Sequence, residues 1–341
     1  MDFIDIIPLH LRNSVQIALK NTFGTTSIND FSLLTGGLST AMTYKVGVKK
    51  KLYVIKLALS NINERTVSNA NLSLSAAAGI APPVYYLNND PGISICEYID
   101  TQPIRKIFET SELIVKLATT VKKIHNLKAG NGGQSLFDTV DDLIADFKRS
   151  PILSGPLIEE CFEKYRVLKK HLKLPESDSV FSHNDLNPNN VLCDEKQIWI
   201  VDWDTAGMND RYIDLANLAN FFIHTEEQEK AYLNIYFDGN VDKQKHARFF
   251  TMRQVCRMVY ALLMFKLAKH HKPVDFAHDQ KVDGISLEFF FNLIEKGEIS
   301  LATYEGQLMY GKALLNTALD QIRSHRWETS LAQFMNSSNY A

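Results

Sequence analysis

The apolar positions fall into two regimes along the chain. Through the first hundred residues they come in short runs: FSLL (31–34), MTYKVGV (42–48), LYVIKLA (52–58), PVYYL (83–87) and ISICEY (93–98). In the second run Tyr44, Val46 and Val48 alternate with Lys45 and Gly47, the period of two of a half-buried strand. Residues 10–22 read as a helix, and so does the Ala- and Ser-rich stretch 64–78, which stops before Gly79. From about residue 104 the period lengthens. Leu117, Val121 and Ile124 lie on one helical face, as do Leu215, Leu218, Ala219 and Phe222. Met252, Val255, Val259 and Leu263 repeat the spacing, and so do Leu308, Leu315, Leu319 and Ile322. One β island interrupts the helices, VLC (191–193) and IWIVD (198–202). The pattern predicts an α+β chain with a small β-rich N-terminal lobe, residues 1–99, and a larger, mainly helical C-terminal lobe, residues 100–341.

Composition narrows the class. The 341 residues are enough for about two domains, and 45% hydrophobic with 22% charged residues excludes collagen, a long coiled coil and wholesale disorder. The formal charge is −2, so no overall field draws the chain to nucleic acid. Residues 1–99 hold eight basic and six acidic side chains, a small excess that suits an anionic ligand but that chance also produces. Cys96, Cys161, Cys193 and Cys256 lie far apart with no CxxC pair, which reads as reduced thiols. The N-terminal MDFIDIIPLHL lacks the basic start of a secretory signal. The longest apolar run, Met258 to Phe265, is far below the roughly 20 residues of a membrane span. A cytoplasmic protein with no membrane span and no nucleic-acid partner is expected; the oligomeric state is not legible.

The densest polar run is FSHNDLNPNNVLCDEKQIWIVDWD, residues 181–204. The two short strands of the β island, joined by DEKQ (194–197), form an antiparallel hairpin, which sets the start of the first strand beside the end of the second. Asn190 and Asp202 should therefore be neighbours. An amide oxygen beside a carboxylate is a hard-oxygen pair suited to Mg²⁺. Asp204, two positions on, points the same way if the extended geometry persists. His183 and Asp185 stand in the loop just upstream, Asp185 near the metal end yet able to face an acceptor hydroxyl. A metal, an in-line nucleophile and an aspartate that orients it make a phosphoryl-transfer site.

HNDLNPNN matches the kinase-like catalytic loop HxDxxxxN at His183, Asp185 and Asn190, and VDWD takes the place where protein kinases carry Asp-Phe-Gly. The chain thus resembles the aminoglycoside phosphotransferase and choline kinase superfamily, nearly end to end. The HNDL wording is similar to choline and ethanolamine kinases, and DWDTAGMNDRYIDLANL to bacterial choline-kinase-like proteins. The resemblance implies a bilobal protein-kinase-like fold using ATP and Mg²⁺. It implies Asp185 as catalytic base or hydroxyl-orienting residue and His183 as the loop's brace. Asn190 and Asp202, with Asp204 added by the spacing argument, are the metal ligands, and Asp214 is a structural acid near a helix start.

In the first lobe the resemblance puts phosphates at the turn around Gly36, Gly37, Ser39 and Thr40, where glycine admits a close backbone approach and the hydroxyls donate. Lys56, 19 residues after Gly37 in Val54-Ile55-Lys56, resembles the strand lysine that pairs with phosphates. Glu97-Tyr98-Ile99 resembles the hinge, with the backbones of Glu97 and Ile99 toward adenine, and Leu34, Val46 and Leu192 as apolar walls. One departure stands out. The helix before GIAPPVYY should supply a glutamate to the lysine about nine residues before Gly79. That position is Ala70, flanked by Asn69 and Asn71, and the nearest acid is Glu64. Glu64 serves from a turn or two earlier, an asparagine substitutes, or the pair is absent.

For the acceptor, a choline-type ammonium calls for aromatic rings and a carboxylate. Trp203, Tyr212, Tyr260 and Trp327, with Asp141, Asp142 and Asp146, are candidates. HNDL favours a small amino alcohol. An aminoglycoside kinase, another small-molecule kinase such as a thiamine kinase, and a silent kinase-like binding protein are the alternatives.

Overall fold

The computed structural model describes residues 2–34, 41–128, 135–149, 151–172, 175–274 and 280–337. The chain divides into two compact units: Met1–Asn131 with Phe181–Gly207, and Gly132–Val180 with Met208–Ala341.

The first unit opens with helices α1 (Phe3–Ile6) and α2 (Arg12–Phe23) and strands β1 (Asp30–Leu33), β2 (Met42–Val48) and β3 (Lys51–Leu57). Helix α3 (Ile62–Ala77), strands β4 (Val84–Asn88) and β5 (Ile93–Glu97), and helices α4 (Ile104–Ile107) and α5 (Thr110–His125) follow. The five strands form one antiparallel sheet in the order β1-β2-β3-β5-β4. Lys49 and Lys50 both take positive φ, as a tight two-residue β2–β3 connection requires.

Alternation divides that sheet chemically. Tyr44, Val46, Tyr53, Ile55, Leu57, Ile93 and Ile95 lie on one face and pack against Phe3, Ile7, Leu11, Val15 and Leu19 in a dry core. The opposite face carries the polar set, because Lys56 pairs with Thr43 and Ser94, and Val54 with Lys45 and Cys96. Helix α3 starts where the Asn61 side chain accepts the Glu64 amide, and stops where Gly79 enters the left-handed region at φ 68°.

In the second unit come α6 (Leu136–Arg149) and α7 (Pro156–His171). The chain crosses into the first unit within β6 (Ser179–Ser182), builds β7 (Val191–Cys193) and β8 (Ile198–Ile200) there, and returns within β9 (Gly207–Asp210). Helices α8 (Tyr212–Phe222), α9 (Glu226–Tyr236), α10 (Lys243–His271), α11 (Leu287–Glu295), α12 (Tyr304–Ile322) and α13 (His325–Ser337) complete the chain. The 29-residue α10 is its spine. Gly311 of α12 lets the two helices close up, since a Cβ there would come within 2.5 Å of the Phe265 ring. This unit buries charged groups that are paired within it: Arg248 meets Asp210 at 2.7 Å, and the buried Glu229 lies between Arg253 and Arg326. Asp214, the acid expected at a helix start, is fully buried in the first turn of α8.

A β-rich N-terminal region and a mainly helical remainder are what the periodicity predicts. All four cysteines are free thiols. No helix among the described residues is long and apolar enough to cross a membrane.

Candidate active site

The loop after β6 is wound around a buried imidazole. His183 is 0% exposed. Its Nε2 lies 3.0 Å from the Val201 carbonyl, and its Nδ1 lies 3.3 Å from the Asp185 amide. With Nε2–H donating, Nδ1 is free to accept that amide. Trp203 stands edge-on to the imidazole at 4.8 Å and stacks on Phe181. His183 thus ties the loop to the Val201 carbonyl on one side and the Asp185 amide on the other. Asn184 takes φ 69°, a region Asn tolerates better than most residues. Its amide donates to the Thr205 carbonyl at 2.8 Å, and the Thr205 hydroxyl donates to the His183 carbonyl at 2.9 Å.

Those bonds hold out Asp185. One carboxylate oxygen accepts the Asn187 side-chain amide and the other that of Asn190, each at 3.0 Å. Asn190 also donates to the Asp185 carbonyl at 2.9 Å. With its nitrogen so used, the amide oxygen is the group Asn190 has left for a cation.

The hairpin forms as its spacing predicts. Val191 pairs with Ile200, and the Val201 amide donates to the Asn190 carbonyl at 3.1 Å, which brings Asn190 beside the approach to Asp202. The extended geometry expected through Asp204 does not persist. Strand β8 ends at Ile200, Asp202 is left-handed at φ 66°, and residues 203–205 make a 3₁₀ turn. That reversal still directs both carboxylates at one cation: Lys56 Nζ lies 2.7 Å from Asp202 Oδ1 and 2.8 Å from Asp204 Oδ2. Burial pulls the Lys56 ammonium down, but Asp204 and Asp202 outweigh it and hold its pKa above the ordinary lysine value. Burial pushes Asp204 up, and Lys56 with the Ser68 hydroxyl outweighs that, so its carboxyl sits below the usual range.

The missing glutamate is resolved by these contacts. Ala70 is exposed, Asn69 bonds Asn89, and Asn71 donates to the Ala206 carbonyl at 2.9 Å. Helix α3 instead reaches the lysine cluster through Ser68, whose hydroxyl donates to Asp204 Oδ1 at 2.5 Å. Sequence reasoning missed Ser68. The signal was there as a polar stripe at i, i+3 and i+7, Ser68, Asn71 and Ser75, the last two of them buried.

Other expected residues fare differently. Val46 is not a wall beside Lys56: the pleat turns it to the opposite, core face, and Val54 and Lys45 take the Lys56 side. The Glu97 amide already donates to the Pro83 carbonyl, so its own carbonyl is what remains for a hinge role, and Ile99 is buried. Leu34 is partly exposed and Leu192 half-buried in the hairpin. Gly36, Gly37, Ser39 and Thr40 lie outside the described residues. Of the acceptor candidates, Trp203, Tyr212 and Trp327 are buried core residues. Asp141 is taken by Tyr165 and Lys169, and Asp146 by Arg149 and Lys266.

By donor chemistry the residues present fit a hard divalent cation: an amide oxygen and two carboxylates are oxygen ligands of the kind Mg²⁺ takes, and here the two carboxylates face the Lys56 ammonium.

Comparison with known proteins gives the family and the fold. The profile of the phosphotransferase enzyme family (APH) matches residues 30–249. Ethanolamine kinase 2 of Mus musculus is 29% identical over 168 residues, 45% of this chain and 41% of that one. The chain spans between 41% and 60% of the length of the curated relatives it matches. A choline/ethanolamine kinase family protein from Mesorhizobium loti superposes with a TM-score of 0.65 at 19% identity, over 95% of this chain and 99% of that one. A spectinomycin phosphotransferase solved with ADP and spectinomycin superposes with a TM-score of 0.58 at 16% identity, over 88% and 98%. These structures share the protein-kinase-like fold. A family match over well more than half the sequence, on the segment that assembles Lys56, Asp185, Asn190 and Asp202, establishes that this chain belongs to the APH phosphotransferase enzyme family.

Proposed function

We propose that the chain transfers the γ-phosphoryl group of ATP, with Mg²⁺, to the hydroxyl of a small amino alcohol of the choline or ethanolamine kind. The carrying observation is that one compact unit gathers Lys56 against Asp202 and Asp204, and an Asp185 carboxylate held by Asn187 and Asn190. In this reading residues 1–99 serve the nucleotide and residues 100–341 the catalysis and the acceptor. Gly36, Gly37, Ser39 and Thr40 and the backbones of Glu97 and Ile99 contact ATP. Asn190, Asp202 and Asp204 supply oxygen donors for Mg²⁺, which when bound neutralises charge on the phosphates. Lys56, held between Asp202 and Asp204, offers its ammonium to the phosphates. Asp185 orients the acceptor hydroxyl and takes its proton late, because a carboxylate is too weak a base to remove it in the ground state.

The amino alcohol is supported by the HNDL wording and by the ethanolamine and choline names of similar proteins. A panel of choline, ethanolamine, thiamine and kanamycin, each with ATP and Mg²⁺, tests it. Turnover is expected to be fastest with one of the two amino alcohols. Preference for kanamycin or thiamine would reassign the acceptor, and ATP binding with no turnover on an extended panel would make the chain a binding module.

Lys56→Ala should raise the apparent KM for ATP roughly tenfold to a hundredfold, the loss of a charged hydrogen bond to phosphate. The acceptor KM should barely move. Steady-state kinetics with each substrate varied in turn checks this, and unchanged ATP kinetics would make Lys56 a structural ion-pair partner only.

A further inference from the structure

The kinase reading leaves α3 without an acidic partner for Lys56, and the contacts suggest what took its place. We propose that Ser68 is a positioning residue: it fixes Asp204, and through Asp204 it sets Lys56 for the nucleotide. The inference rests on the kinase reading above.

The bond directions are unambiguous. An ionised carboxylate only accepts, so the Ser68 hydroxyl donates to Asp204 Oδ1 while Oδ2 takes the Lys56 ammonium. A charge-assisted hydroxyl–carboxylate bond is short and among the stronger hydrogen bonds in proteins. One turn along the same helical face, the buried Asn71 amide holds the Ala206 carbonyl. The turn 202–206 is thereby tied to α3 at two points, one on the carboxylate and one on the backbone. Asn71 fixes where the turn sits. Ser68 helps fix which way the Asp204 side chain faces: that side chain is 44% exposed, and the hydroxyl holds Oδ1 while Lys56 holds Oδ2.

Charge explains why a neutral donor stands here. Lys56 already faces two carboxylates, so its single positive charge is outnumbered. A glutamate from α3 would add a third negative group at the same cation and repel Asp204. A hydroxyl stabilises Asp204 without adding charge. In this chain the carboxylate partners of the strand lysine stand on the 202–204 turn, and the helix supplies the hydroxyl that aims one of them.

The experiment compares Ser68→Ala, Ser68→Thr and Ser68→Glu with wild type. Each is followed by calorimetric Mg-ATP titration, by steady-state kinetics with ATP and the best acceptor varied separately, and by thermal unfolding. Ser68→Ala should raise the Kd and apparent KM for Mg-ATP about five- to tenfold. Ser68→Thr, which keeps the hydroxyl, should stay near wild type. Ser68→Glu should be worse than Ser68→Ala. The acceptor KM should hold, and the melting temperature should shift by no more than about 2 °C. Wild-type nucleotide constants in Ser68→Ala, or a glutamate that matches serine, would overturn the proposal. So would ATP and acceptor KM rising together with a lowered melting temperature that threonine does not restore, the sign of a packing role. A wild-type protein that binds no Mg-ATP would overturn the kinase reading and this proposal together; wild-type binding with a flat Ser68 series would overturn this proposal alone.

Discussion

Asp185→Asn is expected to lower kcat by about 10²- to 10⁴-fold, the span of a general-base contribution, with Mg-ATP affinity little changed. The substitution keeps size and removes charge. The surroundings sharpen the test, because both carboxylate oxygens of Asp185 accept side-chain amides, from Asn187 and Asn190. An asparagine there offers one oxygen and one NH₂, so one of those two donors must give up its acceptor or turn. If Asn187 yields, the loop keeps its metal end and only the chemistry suffers. If Asn190 turns, its oxygen moves and the metal side is disturbed as well. Calorimetric Mg-ATP titration beside turnover separates the two. Lost turnover with intact binding supports Asp185 as the hydroxyl-orienting residue. Lost binding would recast it as a support for Asn190, and normal turnover would sink the proposed mechanism.

Removing Asp202 should have the other large effect. Asp202→Ala and Asp202→Asn are each expected to abolish metal-dependent nucleotide binding and to cut turnover by about 10³-fold, the several kcal/mol that charge stabilisation through a metal is worth. The two variants are not equivalent for the fold. Asp202 is left-handed at φ 66°, where alanine costs roughly 1–2 kcal/mol and asparagine is tolerated. Lys56 keeps Asp204 in both, so neither leaves a stranded ammonium. Ser68 continues to hold that second carboxylate. Asp202→Asn should thus unfold near the wild-type temperature while losing metal-dependent binding, and Asp202→Ala should do so slightly lower. Mn²⁺ or Mg²⁺ titration with ATP present, run alongside thermal unfolding, checks both, and metal-dependent turnover surviving in the asparagine variant would remove Asp202 from the ligand set.

What the sequence by itself determined was set by local pattern. The alternation in MTYKVGV and the short apolar run LYVIKLA mark β2 and β3 to within a residue, the first because a strand with one dry face must alternate. The i, i+3, i+4 rows mark α5, α8, α10 and α12 for the corresponding helical reason. The hairpin was also legible: it pairs Val191 with Ile200 and sets Asn190 opposite Val201, the residue before Asp202. Three features were decided only by tertiary structure. Val46 turned from expected wall to core because a sheet face is chosen by what packs on it, here α1 and α2. Asp204 reached Lys56 through a left-handed residue and a 3₁₀ turn, whose backbone is held by bonds from Asn71 and Asn184 far away in sequence. Ser68 met Asp204 across 136 positions. Periodicity marks which side of a helix looks inward; it carries no information about which distant carboxylate will be waiting there, because that depends on the packing of elements whose separation along the chain places no limit on their distance in space.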